Sequence, residues 1–326
     1  MRVCIVGAGA IGGWIGGRLA RTGHDVCALA RGETASALRA HGFRIETAEG
    51  RMSAPVRVAE SASDFGTQQL VVVAVKGPAL AAVADTVGQL TGRETVVLTA
   101  MNGVPWWFFE GFGGTHAGSA LASVDPDGSI GAAIPAEHVI GCVVHAACST
   151  PAPGIVRHNF GNSLIIGEPR GGETPRVAAL AAALTDAGFD VTVSPRIQRD
   201  IWYKLWGNMT MNPVSAITGA TLDRMLDDPL VNRFCRSVME EASAIATAIG
   251  CPIAQSAEDR NTITRKLGAV KTSMLQDVEA GRAVELDVLL AAPQEIGARV
   301  GVPTPNIDAL LGLSRLFART RGLYPD

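Results

Sequence analysis

The stretch MRVCIVGAGAIGGWIGGRLARTGHDVCALAR, Met1–Arg31, decides the fold. An apolar run, Val3–Val6, leads straight into Gly7-Ala8-Gly9-Ala10-Ile11-Gly12, after which Ile15 and Leu19 continue at helical spacing. That order is strand, glycine turn, helix. A second apolar segment at 25–30 follows at the distance expected of the next parallel strand, which completes a βαβ unit. Each glycine plays a distinct physical part. Gly7 lets the chain turn sharply off the strand, Gly9 lets backbone approach a pyrophosphate, and Gly12 lets the helix pack tightly on the strand. A dinucleotide's phosphates are then expected over the turn from Gly7 through Gly9, Ala10, Ile11 and Gly12, at the positive end of the helix. A glycine-rich helix that merely packs on a sheet is the competing reading, and the complete βαβ context speaks against it.

The end of the second strand points to the kind of dinucleotide. Folds that prefer NAD place Asp or Glu there to accept from the ribose 2′-hydroxyl, but this strand ends Ala28-Leu29-Ala30-Arg31. Arg31 offers a planar fork suited to a 2′-phosphate, so NADP (NADPH) is the expected cofactor. A solvated arginine opening a loop is the plain alternative.

With 326 residues, 47% apolar and 18% charged, the chain can bury a sizeable core and is expected to form two domains. A net charge of -3 with scattered Lys and Arg gives no basis for nucleic-acid binding. Cys4, Cys27, Cys142, Cys148, Cys235 and Cys251 include no CxxC pair and read as reduced core thiols, which fits a cytoplasmic protein. Residues 3–19 are largely apolar, yet six glycines interrupt them, and no other segment reaches membrane-spanning length without charge or glycine. No metal site is expected, because His145 and His158 lie in strand-like segments without carboxylate or cysteine spacing around them.

Beyond Arg31, residues 33–41 read as helix, 43–47 and 55–58 as short strands, 70–75 as a buried parallel strand ending in Lys76, and 79–90 as an amphipathic helix. Residues 95–99 make a further strand before Asn102-Gly103. Gly7, Arg31, Lys76 and Asn102 all fall at carboxyl ends of strands, the edge where open α/β sheets bind ligands, so together they predict a cofactor site. Residues 105–135 read as loop, 139–168 as antiparallel strands, 175–187 as helix and 190–193 as a last strand. From there the period is helical over 197–211, 213–220, 228–249, 256–280 and 285–301. The fold class is therefore α/β: an N-terminal Rossmann-type doubly wound sheet (1–195) followed by an all-helical C-terminal domain (196–326) that covers the crevice.

In the first of those helices Lys204, Asn208 and Asn212 stand at i, i+4 and i+8, on one face with Ile197 and Ile201. A lysine and two asparagines on an apolar stripe need partners, either a shared polar ligand or internal hydrogen bonds. Further on, Gly281 ends a helix that holds Ser273, and Glu285 opens the next. Both can turn toward Lys204; a capping serine and a first-turn glutamate are the commoner roles.

These residues carry a resemblance. GAGAIG at 7–12, Arg31, Lys76, Asn102-Gly103, KLWGNMTMNP at Lys204–Pro213, and SMLQD from Ser273 with Glu285 eight residues beyond Asp277 are together similar to the ketopantoate reductase (2-dehydropantoate 2-reductase) family, in order and over nearly the whole chain. The resemblance implies NADPH-dependent reduction of a 2-keto acid to a 2-hydroxy acid, 2-dehydropantoate to pantoate first among them. It implies Lys204 as general acid and Glu285 as a partner for the substrate hydroxyl or for Lys204. Asn208, Asn212 and Ser273 hold the substrate, Asn102 lies near nicotinamide and substrate, and Arg31 and Lys76 serve the cofactor. The small-molecule keto acid is the implied partner, with no nucleic acid and no membrane, and a homodimer is compatible with the reading. Two departures bear on the substrate: the bulky run Trp106-Trp107-Phe108-Phe109 and Cys142-Val143-Val144 in place of a threonine-rich run. The aromatics are either a reshaped pocket for a bulkier keto acid, a packed loop, or a subunit contact. A cofactor-binding regulator without turnover, and a related hydroxy-acid or opine dehydrogenase, complete the readings weighed.

Overall fold

A computed structural model describes residues 1–112 and 116–325, so three residues of the expected 105–135 loop lie outside it. The chain forms two compact units: Met1–Met101, Trp106–Ala120 and Asp127–Asp200 make the first, and Asn102–Pro105, Leu121–Pro126 and Ile201–Asp326 the second.

The first unit is built on β1 (Arg2–Val6), α1 (Ala10–Arg21), β2 (Asp25–Leu29), α2 (Gly32–His41), β3 (Phe43–Thr47), β4 (Gly50–Ala54), β5 (Arg57–Ala59), β6 (Leu70–Val73), α3 (Ala81–Leu90), β7 (Val96–Thr99), α4 (Ser129–Ala133), β8 (Val139–Ala152), β9 (Ile155–Gly167), α5 (Pro175–Asp186) and β10 (Asp190–Val193). One sheet runs β4-β3-β9-β8-β7-β6-β1-β2-β5, with β10 on β9. The pairs from β8 through β7, β6, β1 and β2 to β5 are all parallel. Their runs are apolar without alternation because both faces are covered: Val3, Cys4, Ile5, Val71, Val72, Val73, Val97 and Leu98 are fully buried. Helix α1 lies unusually close to the sheet. A Cβ on Gly16 would meet Ile5 and Phe43, and one on Gly17 would meet Ile45, so these two glycines, one turn beyond the glycine motif, set the depth of the helix.

Some strand boundaries differ from the pattern in the sequence. The strand expected over 55–58 is found as β5, displaced to Arg57–Ala59, and an additional strand, β4, pairs with β3 and ends at Ala54, just before Pro55, which has no amide to donate. The GIVRHNF and NSLIIGE segments form one strand, β9, which continues across Gly161 (φ +78°) and pairs antiparallel with β8 through register shifts. Its first half pairs with β3 and its second half with β10, so one strand serves two neighbours in turn.

Helical elements dominate the second unit: α6 (Ile197–Thr218, its first turn in the first unit), α7 (Leu222–Asp227), α8 (Pro229–Ala248), α9 (Ala257–Arg265), α10 (Ser273–Glu279), a π-helical turn (Asp287–Ala291), α11 (Ala292–Arg299) and α12 (Pro305–Arg319). The expected break at Asn212-Pro213 does not occur, and α6 runs through the proline. An interior proline costs about 3 kcal/mol. Met211, Asn212, Val214, Ser215 and Ala216 are all buried around it, and that packing holds the turn. Conversely the helix expected over 256–280 is two. The chain leaves α9 through Gly268 (φ +71°), and the Thr272 hydroxyl then caps α10 by accepting from the Leu275 amide at 3.2 Å. The expected helix over 285–301 begins at Leu286 and opens with the π-helical turn. Helix α12 has no counterpart among the expected helices. Pro303 and Pro305 obscure its start, although Pro305 occupies a first-turn position where the missing amide is harmless.

Candidate active site

The glycine turn sits at the switch of the sheet, because β1 lies between β2 on one side and β6 on the other. Gly7 takes φ +97°, and a Cβ there would strike the Ala74 backbone at 2.8 Å, just beyond β6. A Cβ on Gly12 would run into the Gly7 carbonyl oxygen, so the turn and the first helical turn are in contact. Gly9 is different: a Cβ there would meet nothing within 4 Å. The ladder of α1 begins with the Gly13 amide donating to the Gly9 carbonyl at 2.8 Å, which leaves the amides of Ala10, Ile11 and Gly12 ahead of it. An open glycine beside three leading amides fits a pyrophosphate. Arg31 follows β2 and is exposed, and Lys76 follows β6 and is half-buried, so both belong to strands that flank β1.

The remaining sequence-predicted residues, Asn102, Lys204, Asn208, Asn212, Ser273 and Glu285, all belong to the second unit. Lys204 Nζ donates to Asn102 Oδ1 at 2.8 Å, both side chains being half-buried. Asn212, 6% exposed, donates from Nδ2 to Ser273 Oγ at a long 3.4 Å. Ser273 is the first residue of α10, not its cap, so its hydroxyl is available to a partner outside the helix. Asn208 stands on α6 one turn from both Lys204 and Asn212. Glu285, 8% exposed, immediately precedes the helical turn at Leu286.

What turns this face of α6 is a pair of tryptophans. Trp202 Nε1 donates to the Ala242 carbonyl at 3.1 Å and Trp206 Nε1 to the Met239 carbonyl at 2.8 Å, both within α8. At 100° per residue, 202 and 206 lie about 200° from 204 and 208, so anchoring one face presents the other. Their i, i+4 spacing in the sequence carried this signal. Glu295 carried none: its carboxylate accepts from the amides of Ala122 (3.0 Å) and Ser123 (2.8 Å) and from Ser123 Oγ (2.6 Å). Burial raises the Glu295 pKa, but those donors and the Arg299 charge outweigh it and hold the carboxyl below its ordinary range.

The other candidates resolve structurally. Trp106, Trp107, Phe108 and Phe109 are buried at 7% exposure or less, with Trp106 Nε1 donating to the Ile134 carbonyl, which makes the run a packed loop of the first unit. The His158 ring stacks on Trp14 at 5.3 Å and its Nε2 pairs with the Gly161 carbonyl at 2.5 Å. None of the six cysteines forms a disulfide, and burial pushes the thiols of Cys148 and Cys235 up to about 12. Among the described residues no group of three His, Cys, Asp or Glu is arranged to hold a metal ion, and no helix is long and apolar enough to cross a membrane.

Comparison with known proteins is consistent along the chain. The family model described as ketopantoate reductase PanE/ApbA matches residues 3–171, and that of the ketopantoate reductase PanE/ApbA C terminal matches residues 196–318. A 2-dehydropantoate 2-reductase of Mesorhizobium japonicum is 43% identical over 326 residues, covering 99% of this chain and 100% of the relative. One from Halobacterium salinarum is 30% identical, covering 98% and 99%. Among solved structures, a candidate ketopantoate reductase from Ralstonia solanacearum MolK2 is 55% identical with a TM-score of 0.96, covering 99% of both chains.

Proposed function

The chain belongs to the ketopantoate reductase family of oxidoreductases, and we propose that it reduces 2-dehydropantoate to pantoate with NADPH, using Lys204 as the general acid. The observation that carries the reading is the Lys204–Asn102 pair. A lysine amine held at 2.8 Å from an amide oxygen, on a half-buried helix face that also bears Asn208 and Asn212, is a positioned proton donor.

In this reading the first unit binds the cofactor and the second binds the keto acid and moves the proton. The amides at Ala10, Ile11 and Gly12 receive the pyrophosphate over open Gly9, Arg31 receives the 2′-phosphate, and Lys76 adds positive charge beside the turn. The cofactor, when bound, supplies hydride to the carbonyl carbon. Negative charge then grows on the substrate oxygen. Lys204 stabilises that charge and delivers a proton to it, while Asn102 fixes the direction of the amine. Asn208, Asn212 and Ser273 offer hydrogen bonds to the carboxylate and hydroxyl of the substrate, and Glu285 accepts from a substrate hydroxyl or from Lys204. Six cysteines without a disulfide accord with work in the reducing cytoplasm.

The test is a panel of 2-keto acids, 2-dehydropantoate included, assayed with NADPH and with NADH by loss of reduced-nicotinamide absorbance. The expected result is fastest turnover of 2-dehydropantoate with NADPH, and a fall in kcat of about 10²- to 10⁴-fold in Lys204→Ala. Tight NADPH binding with no turnover of any keto acid overturns the reading in favour of a regulator, and an unchanged rate in Lys204→Ala removes the assigned acid.

A further inference from the structure

The helical segment that follows Glu285 departs from α-helical register at one place. Over Asp287–Ala291 the bonds are π-type, and the Ala292 amide donates to the Asp287 carbonyl, five residues back. In that register the carbonyl of Val288 looks to the amide of residue 293. Residue 293 is proline and has none. The Val288 carbonyl thereby has no partner within its own helix, and a buried carbonyl requires one. It accepts instead from the Val104 amide at 2.9 Å, with Val104 fully buried and Val288 6% exposed.

The contact reaches back to the proton donor through two residues. Gly103 takes φ +79°, and a Cβ there would stand 2.6 Å from the Val288 Cβ and carbonyl oxygen, so no other residue lets the 102–104 backbone lie this close. Asn102 precedes it, and Asn102 Oδ1 receives Lys204 Nζ. Two helical turns on from Val288, Glu295 binds the amides of Ala122 and Ser123, so one segment grips both short stretches, 102–105 and 121–126, that belong to the second unit.

We infer that the π-helical turn with Pro293 is a positioning device for the general acid: it surrenders the Val288 carbonyl to Val104, and this seats Gly103 and orients Asn102 against Lys204. Val288, Gly103 and Pro293 are positioning residues, acting on the reacting atoms only through Asn102 and Lys204. The inference deepens the reductase reading and rests on it for its catalytic meaning.

The experiment compares wild type, Pro293→Ala and Gly103→Ala in the full chain. Pro293→Ala supplies an amide that competes for the Val288 carbonyl; Gly103→Ala forces a Cβ against Val288, and serves alone if the proline variant does not fold. Three quantities are read: hydrogen exchange at the Val104 amide, the titration of the Lys204 amine by the NMR signal of its ε-carbon, and kcat against the KM values for NADPH and 2-dehydropantoate. Expected are exchange at least tenfold faster at Val104 in Pro293→Ala, a displaced Lys204 titration in both variants, and kcat at least tenfold lower with the KM for NADPH within twofold. Unchanged exchange and titration overturn the inference, as does faster exchange with an undiminished kcat. If wild type turns over no keto acid, the reductase reading fails by itself. The Lys204 titration needs no turnover and still decides whether the π turn positions the amine.

Discussion

Trp206 illustrates how a residue without chemistry of its own sets the chemistry of its neighbours. Its indole donates to the Met239 carbonyl while its ring is 1% exposed, and on the opposite face of the same helix stand Lys204 and Asn208. Trp206→Ala is expected to destabilise the protein by about 3–5 kcal/mol through the cavity left behind. Trp206→Phe keeps most of the volume and loses the hydrogen bond, so a smaller cost of about 1–2 kcal/mol is expected. Denaturant melts of the two variants check the order. Arg31 is the opposite case, exposed and outside any packed core. Its removal should leave stability within about 0.5 kcal/mol of wild type. Arg31→Ala should weaken NADPH by at least about tenfold, the scale of one charge-assisted contact, and leave NADH affinity near wild type. Fluorescence titration of both cofactors measures this, and equal losses would defeat the assignment to the 2′-phosphate.

Elements, more than residues, mark where local pattern and structure part. Periodicity placed Lys204, Asn208 and Asn212 on one helical face, and α6 carries all three. The same reasoning stopped that helix at Pro213, because propensity counts the missing amide and cannot count the burial on both sides of it. It also ran a single helix through Ser273, where Gly268 and the Thr272 cap divide the chain and place Ser273 at a helix start. The π turn was invisible for a related reason: Pro293 signals a missing donor, but which outside amide takes up the orphaned carbonyl is not a local property. Glu295 belongs at this scale too, since it ties α11 to the stretch 121–126. Its folded-state pKa lies below the ordinary 4.5, so its contribution is present above that value and is lost as pH falls through the depressed one. Glu295→Gln should therefore cost about 1–2 kcal/mol at neutral pH, and the gap from wild type should narrow toward about pH 3. Paired urea melts at the two pH values read the difference; a gap that does not narrow would mean the carboxylate charge is not what binds Ala122 and Ser123.

At the scale of the whole molecule, cofactor binding is linked to folding. A ligand that binds only the folded chain stabilises it by about 2.7 kcal/mol at one hundred times its Kd. NADPH should accordingly raise the melting temperature more than NADH at equal concentration, and differential scanning fluorimetry with both cofactors tests the preference independently of turnover. The sequence by itself determined the βαβ start with its three working glycines, the parallel sheet, the change to helix near residue 195, the face shared by Lys204, Asn208 and Asn212, and the family these motifs belong to. All of these rest on spacings of one to a few residues, where covalent geometry dictates which side chains and amides meet. Tertiary structure alone decided that Lys204 meets Asn102 across 102 positions of chain, that tryptophans on the far face hold α6 against α8, and that the aromatic run at 106–109 is packed away. Those outcomes depend on burial and on unsatisfied backbone groups finding distant partners, which no local period encodes.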